Sequence, residues 1–208
     1  MTEWIAAVAA AVSVLVAVFA WKAADRSAAA AERVESIERD RWHRDLTPDL
    51  DIRLVQQNMN HWLLSVDLDG PEGLDDLDSI TVEILDEKGV SHLPGPTGPT
   101  AEDLAQVIWG PLRLRPGVDG VAAPGRTTTV EGLGLGHRAV RALELSLRPA
   151  WDKDPINSWA RRYLDHPLRL RIVCHKDGHK PWTLIREVPV PPGTRPAEHT
   201  SPAGSATA

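Results

Sequence analysis

Leu168-Arg-Leu-Arg-Ile-Val-Cys-His-Lys-Asp-Gly-His-Lys-Pro-Trp-Thr-Leu-Ile-Arg-Glu-Val188 is the stretch whose reading decides the fold. Leu168, Leu170, Ile172 and Cys174 recur at every second position with Arg169 and Arg171 between them, the period of a strand with one buried face. Asp177-Gly178 marks a hairpin turn, and a weaker strand is expected over 180–188. A two-residue turn would oppose Ile172 with Thr183 and Cys174 with Pro181. A three-residue loop with Gly178 in the left-handed position opposes Ile172 with Trp182 and Leu170 with Leu184. The second register sets apolar against apolar and is the expected one. It also places His175 across from His179, the nearest thing in the chain to a metal-ligand pair. Two ligands fall short of the three or four that zinc takes, and Cys174 points to the other face. Solvated side chains beside a turn are the plainer reading, and no cofactor or catalytic residue is expected.

The same period runs through much of the chain after Pro48. Leu50, Ile52 and Leu54 alternate with polar residues, as do Trp62, Leu64, Val66 and Leu68 with Leu63, Ser65 and Asp67. Ile80, Val82 and Ile84 follow the pattern, and so do Leu143, Leu145 and Leu147. Weaker strands are expected at 111–115 and 126–131. Gly/Pro-rich connections separate these runs, which points to an antiparallel, Ig-like β-sandwich rather than to βαβ units. Two short helices interrupt it. Thr100 caps the first, over 101–109, with Asp103 as its capping-box partner, and Gly110-Pro111 ends it. Asp154-Pro155 opens the second, whose apolar face is Ile156, Trp159, Ala160, Tyr163 and Leu164.

Upstream the composition changes. All 15 Gly and 17 Pro fall after residue 47, as one uninterrupted helix requires. Trp4–Trp21 carries no charge and at 1.5 Å per residue spans roughly 27 Å, near the thickness of a bilayer's hydrocarbon core. Trp4 and Trp21 then serve as interfacial membrane anchors. The expected organisation is a transmembrane helix at 1–21, a juxtamembrane helical stalk at 22–47, a β-sandwich-like domain at 48–190 and a disordered tail at 191–208. Lys22, Arg26, Arg33, Arg39 and Arg41 follow the apolar run while no basic residue precedes it. The positive-inside rule then places a single-pass protein in the cell membrane with its N-terminus outside and its domain in the cytoplasm. An outward-facing envelope protein and a cleaved signal peptide are the alternatives. Ala6, Ala10, Ser13 and Ala17 line one side of the helix and would let two copies approach closely, a route to a homo-oligomer in the lipid bilayer. In the stalk Glu35 and Arg39, and Asp40 and Arg44, stand at i, i+4 with the acid first. Ala30, Val34 and Ile37 sketch a coiled-coil seam, although sustained heptads over three or four repeats are what a coiled coil needs.

Function is less legible. A net charge of -6 disfavours nucleic acid. Gly132-Leu-Gly-Leu-Gly136 lacks the spacing, the following helix and the lysine of a phosphate loop. The acidic run Asp67, Asp69, Glu72, Asp75, Asp76 and Asp78 matches no calcium loop. The leading expectation is a membrane-tethered interaction module that binds an unknown protein or peptide partner through sheet edges or end loops. The alternative is an enzyme whose unrecognised site lies between the 155–165 helix and the acidic loop.

Glu38-Arg-Asp-Arg-Trp-His-Arg-Asp-Leu-Thr-Pro48, Gly73-Leu-Asp-Asp-Leu-Asp-Ser-Ile-Thr-Val82, Ile108-Trp-Gly-Pro111 and Arg115-Pro-Gly117 resemble a family of uncharacterised actinobacterial membrane-anchored proteins. The resemblance runs in order over most of residues 1–190. It implies a hydrophobic N-terminal helix, a charged stalk and a small β-rich domain, and it assigns no residue a catalytic role.

Overall fold

Trp62, Leu64, Val66 and Leu68 are buried together along one side of a ten-residue strand, and the core builds outward from that side. The structure is a computed structural model that describes residues 21–22, 25–27, 31–58, 60–89, 98–153, 159 and 162–191. The chain divides into two units, Met1–Thr47 and Pro48–Ala208.

The described residues of the second unit form eight strands. They are β1 (Asp49–Asn58), β2 (His61–Gly70), β3 (Asp76–Ile84), β4 (Leu112–Leu114), β5 (Thr127–Gly134), β6 (Arg138–Leu145), β7 (Leu168–His175) and β8 (Trp182–Val188). They form two four-stranded sheets ordered β1-β2-β6-β4 and β5-β3-β7-β8, and every strand pairing within them is antiparallel. The first sheet contributes Trp62, Leu64, Leu112, Leu114 and Leu143 to the core, and the second contributes Ile80, Val82, Leu170, Ile172 and Cys174. Alternation of apolar and polar residues is what sends one face of each sheet inward.

Two glycines are fixed by geometry. Gly125 has φ +92, and a Cβ there would stand 2.1 Å from the Leu114 carbonyl oxygen. Gly132 has φ +65. Around it the inward set of β5 switches from Thr128 and Val130 to Leu133, while β3 switches from Ile80 to Leu77. A left-handed glycine lets the paired strands bend there without losing their register. The Gly-Leu-Gly-Leu-Gly segment is therefore a bend followed by a crossing, since β5 and β6 belong to different sheets.

Beyond β4 and β5, backbone and side-chain bonds close part of the open ladder. Arg115 N–H donates to the Ala142 carbonyl at 2.9 Å. Asp119, a non-glycine residue at φ +53, accepts the Ala142 N–H on Oδ2 at 3.1 Å. Arg141 joins the two sheets across their seam. Its Nη1 donates to the Val140 carbonyl at 2.9 Å, its Nη2 to the Thr129 carbonyl at 3.0 Å and its Nε to Thr128 Oγ1 at 3.2 Å. A planar fork with several fixed donors suits this geometry, as an ammonium does not.

Several expectations need correction. Among the described residues no helix is long and apolar enough to cross a membrane. The described helical residues 31–45 (α1) are too rich in Glu, Asp and Arg to do so. The membrane-spanning helix, the single-pass placement in the cell membrane and the cytoplasmic orientation are thus unsupported. Trp4, Ala6, Ala10, Ser13 and Ala17 lie outside the described residues, and Trp21 is helical and 73% exposed. The coiled-coil seam is not supported either: Val34 and Ile37 of α1 stand exposed, and Ala30 lies outside the described residues. Apart from Pro191, the expected tail lies outside the described residues.

Within the β domain three boundaries shift. The capping box at Thr100 and Asp103 is present, with Asp103 N–H to Thr100 Oγ1 at 3.1 Å and Thr100 N–H to Asp103 Oδ2 at 2.9 Å. The helix it starts, α2 (Ala101–Ala105), ends four residues early. Val107, Ile108 and Trp109 are consecutively buried, and three successive residues cannot share one face of a helix. β6 begins at Arg138 and stops at Leu145, which leaves Leu147 exposed. The β7–β8 register pairs Ile172 with Leu184 and Cys174 with Trp182, two positions from the expected one, so every side chain keeps its face. Pro181 has no N–H for the ladder, and the loop widens to Lys176–Pro181. Its turn is closed by His179 N–H to the Lys176 carbonyl at 3.0 Å, with Gly178 at φ +76.

Candidate functional site

Cross-strand register assembles the most developed surface feature of the β domain. Glu144 on β6 lies opposite His61 of β2 on one side and Arg113 of β4 on the other. These three side chains form one row on the outer face of the first sheet. Arg113 Nε and Nη2 both donate to Glu144 Oε1, at 2.8 and 2.5 Å, and Nη1 reaches the Pro124 carbonyl at 3.4 Å. The two side chains are 17% and 24% exposed. A partly buried, hydrogen-bonded pair of this kind is held in one geometry and makes a firm floor.

Above that floor opens a cleft of about 500 Å³, lined also by Leu145, Leu147, Arg148 and Trp159. Trp159 is fixed from three directions. Its Nε1 donates to Ser146 Oγ at 3.2 Å, and Ser146 Oγ donates in turn to the Gly110 carbonyl. Its ring lies 5.3 Å from Trp109 and 5.1 Å from Tyr163, tilted to both. The Arg162 guanidinium carbon sits 5.8 Å from the Trp159 ring centroid, within cation–π range. Val107, Trp109, Trp159 and Tyr163 form one buried cluster, and burial raises the Tyr163 hydroxyl pKa above its ordinary value. The segment that fails to continue α2 thus supplies the backing of the cleft wall.

The outer face continues as ladder rows away from the cleft. Val55, Leu63 and Ala142 form the next row, and Val140 lies one row further; Val55 and Val140 are exposed. Beyond them Asp51, Asp67 and Arg138 share a row. Arg138 Nε donates to Asp67 Oδ1 at 2.8 Å, and that bond raises the guanidinium's pKa further. The surface therefore runs from a rigid polar floor with an aromatic wall, over a small apolar step, to a charged row.

The residues singled out from sequence lie elsewhere. His175 ends β7 opposite Ser79 of β3. His179 sits in the turn, its ring stacked 5.4 Å from Trp182. The β7–β8 register puts His175 opposite Pro181 by extension, and the pair expected across the hairpin is not formed. Cys174 faces the core, its thiol pushed up to about 12 by burial. Among the described residues no group of three or more His, Cys, Asp and Glu side chains could hold a metal ion. The acidic run is spent on structure: Lys176 Nζ meets Asp76 Oδ1 at 2.6 Å and Asp78 Oδ1 at 3.7 Å, and Asp78 accepts the Asp177 N–H. Those contacts lie at the start of β3. Beyond its other end Glu87 Oε2 meets His166 Nδ1 at 3.5 Å, next to Tyr163. At about 3.3 Å per residue β3 separates the two by more than 20 Å. Among the described residues, Asp76 and Asp78 and the His166 end of the second helix are not brought together.

No sequence motif joins His61, Arg113, Glu144 and Arg148, because they come from three strands and a loop. Their only sequence signal is opposite charge at positions that the register happens to align. Compared with known proteins, the chain matches no family model, no curated protein and no solved structure.

Proposed function

We propose that the β domain is a binding module whose outer first-sheet surface takes an extended peptide carrying an apolar residue beside an acidic one. The observation that carries this reading is the cleft itself. It joins an apolar wall of Leu145, Leu147 and Trp159 to a floor and rim where, among the described lining residues, Arg113 and Arg148 stand against the carboxylate of Glu144. In a protein of net charge -6 this local balance is the reverse of the whole, and it complements an acidic ligand. An apolar concavity with a few convergent polar groups is the usual form of a ligand site. Val55, Leu63, Ala142 and Val140 would support the peptide's next residues.

The test is selection of a displayed library of extended peptides on the full chain. Enrichment of sequences with Asp or Glu next to Leu, Ile or Phe is expected. Binding should fall at least about tenfold with Leu147→Glu and with Arg148→Glu, the loss of one well-placed contact each. Selection of basic peptides, or binding that both variants leave intact, would refute the reading.

A further inference from the structure

We propose that β1 pairs with β1 of a second copy of this chain, antiparallel and centred on Ile52, to give one continuous eight-stranded sheet. β1 is the ten-residue edge of the first sheet, and among the described residues it is hydrogen-bonded to a strand only on its β2 side. The other edges are shorter or partly occupied. β4 spans three residues. The edge of β6 beyond it is taken up by Asp119 and Arg141, and Arg141 also takes the Thr129 carbonyl of β5. On β8 the Arg186 guanidinium donates to the Ile185 carbonyl at 3.2 Å. Among the described residues the side-chain bond to the backbone of Asp49–Val55 is from Ser65 Oγ to the Arg53 carbonyl, and it comes from the β2 side. A long edge left open in this way is a template for a further strand.

The sequence of β1 names the occupant. Leu50-Asp51-Ile52-Arg53-Leu54 has a charge pattern that becomes its own complement when reversed. About a two-fold axis at Ile52, Asp51 of each copy lies opposite Arg53 of the other, Leu50 opposite Leu54, and Ile52 opposite itself. Both charged residues lie on the outer face. Each copy already holds one such ion pair, so the dimer exchanges two pairs within copies for two between them. The apolar residues lie on the inner face, and there Ile52 is only half-buried although its neighbours Leu50 and Leu54 are buried. A second strand would complete its cover. Centring the axis on Arg53 instead would set arginine against arginine, so the charges choose one register. This inference does not rest on the peptide reading, whose cleft lies at the other end of the sheet face and which reaches β1 at Val55.

The test uses the full chain and two kinds of variant. Asp51→Arg and Arg53→Asp each place like charges opposite one another twice in the dimer. Each is expected to weaken self-association by about 30-fold in sedimentation equilibrium, with unchanged circular dichroism. Mixing the two variants restores the opposite-charge pairs in a heterodimer and should recover the affinity. Ile52→Cys should form a disulfide between copies under mild oxidation, while Val55→Cys, which would face Asp49 of the other copy, should not. A chain that stays monomeric at about 100 µM would overturn the proposal. So would charge variants that associate as the parent does, or equal crosslinking at positions 52 and 55.

Discussion

Replacing Arg141 by Met removes the guanidinium that spans the seam between β5 and β6 and keeps most of the stem. Three hydrogen bonds are lost. The Val140 and Thr129 carbonyls are at the surface, where water takes the place of the lost donors, so each of those bonds contributes roughly 0.5 kcal/mol. Thr128 differs, being only 5% exposed. Loss of its charged donor leaves a half-satisfied hydroxyl and costs about 1 kcal/mol. The sum is about 2 kcal/mol, which for a domain of this length lowers the melting temperature by roughly 4–8 °C. Arg141→Lys should recover less than half of that, since one ammonium cannot reach three acceptors arranged around a plane. Thermal unfolding followed by circular dichroism measures both, and hydrogen exchange at Thr129 and Val130 reports the loosened edge directly. If the Met variant melts within about 1 °C of the parent, or Lys substitutes fully for Arg, the seam is not held by this fork.

Trp159→Phe keeps an aromatic ring against Trp109 and Tyr163 but deletes the donor to Ser146 Oγ; urea unfolding should show a loss of about 1–2 kcal/mol, and no loss would contradict the relay to Gly110. Gly125→Ala should cost about 3 kcal/mol or more, because strain at φ +92 adds to a clash with the Leu114 carbonyl; soluble protein of parental stability would contradict the turn. Cys174 should resist an aromatic disulfide reagent at pH 8 in the native state and react on denaturation, and rapid native reaction would show that it is not buried. Its pKa is raised from 9.0 to about 12 on folding. Its share of stability is therefore complete below pH 9 and is lost as pH rises from 9 towards 12, which a pH series of urea midpoints would record.

Strands whose apolar residues alternate strictly are plain in the sequence. Trp62, Leu64, Val66 and Leu68 announce β2, and Leu168 to Cys174 announce β7. β6 is hidden in its first half, where Ala139 is buried and Val140 exposed, so size and burial run opposite to the usual sense. Its far end misleads the other way, since Leu147 continues the pattern of Leu143 and Leu145 after the strand has stopped. The segment Val107-Ile108-Trp109 looks like the end of a helix because nothing local says that all three residues must be buried. The hairpin register differs by two residues from the expected one because turn chemistry names Asp177-Gly178 but not how far Pro181 holds the ladder apart. The candidate cleft was not legible at all. It depends on which residues of β2, β4 and β6 stand opposite one another, and a single sequence carries register only through the hydrophobic pattern. The apolar run at the N-terminus is the converse case: a strong local signal whose expected consequence, a membrane-crossing helix, no described residue supports.

The central claim is that the cleft between the Arg113–Glu144 floor and the Trp159 wall is where a partner binds. The direct measurement is a two-dimensional ¹H–¹⁵N titration of the full chain with the peptide that selection enriches most. Binding at this cleft predicts that the Trp159 indole N–H and the amides of His61, Leu145 and Leu147 shift first and furthest, with Val140 and Ala142 following. Shifts confined to β8 and the Lys176–Pro181 loop, with those signals unmoved, would contradict it.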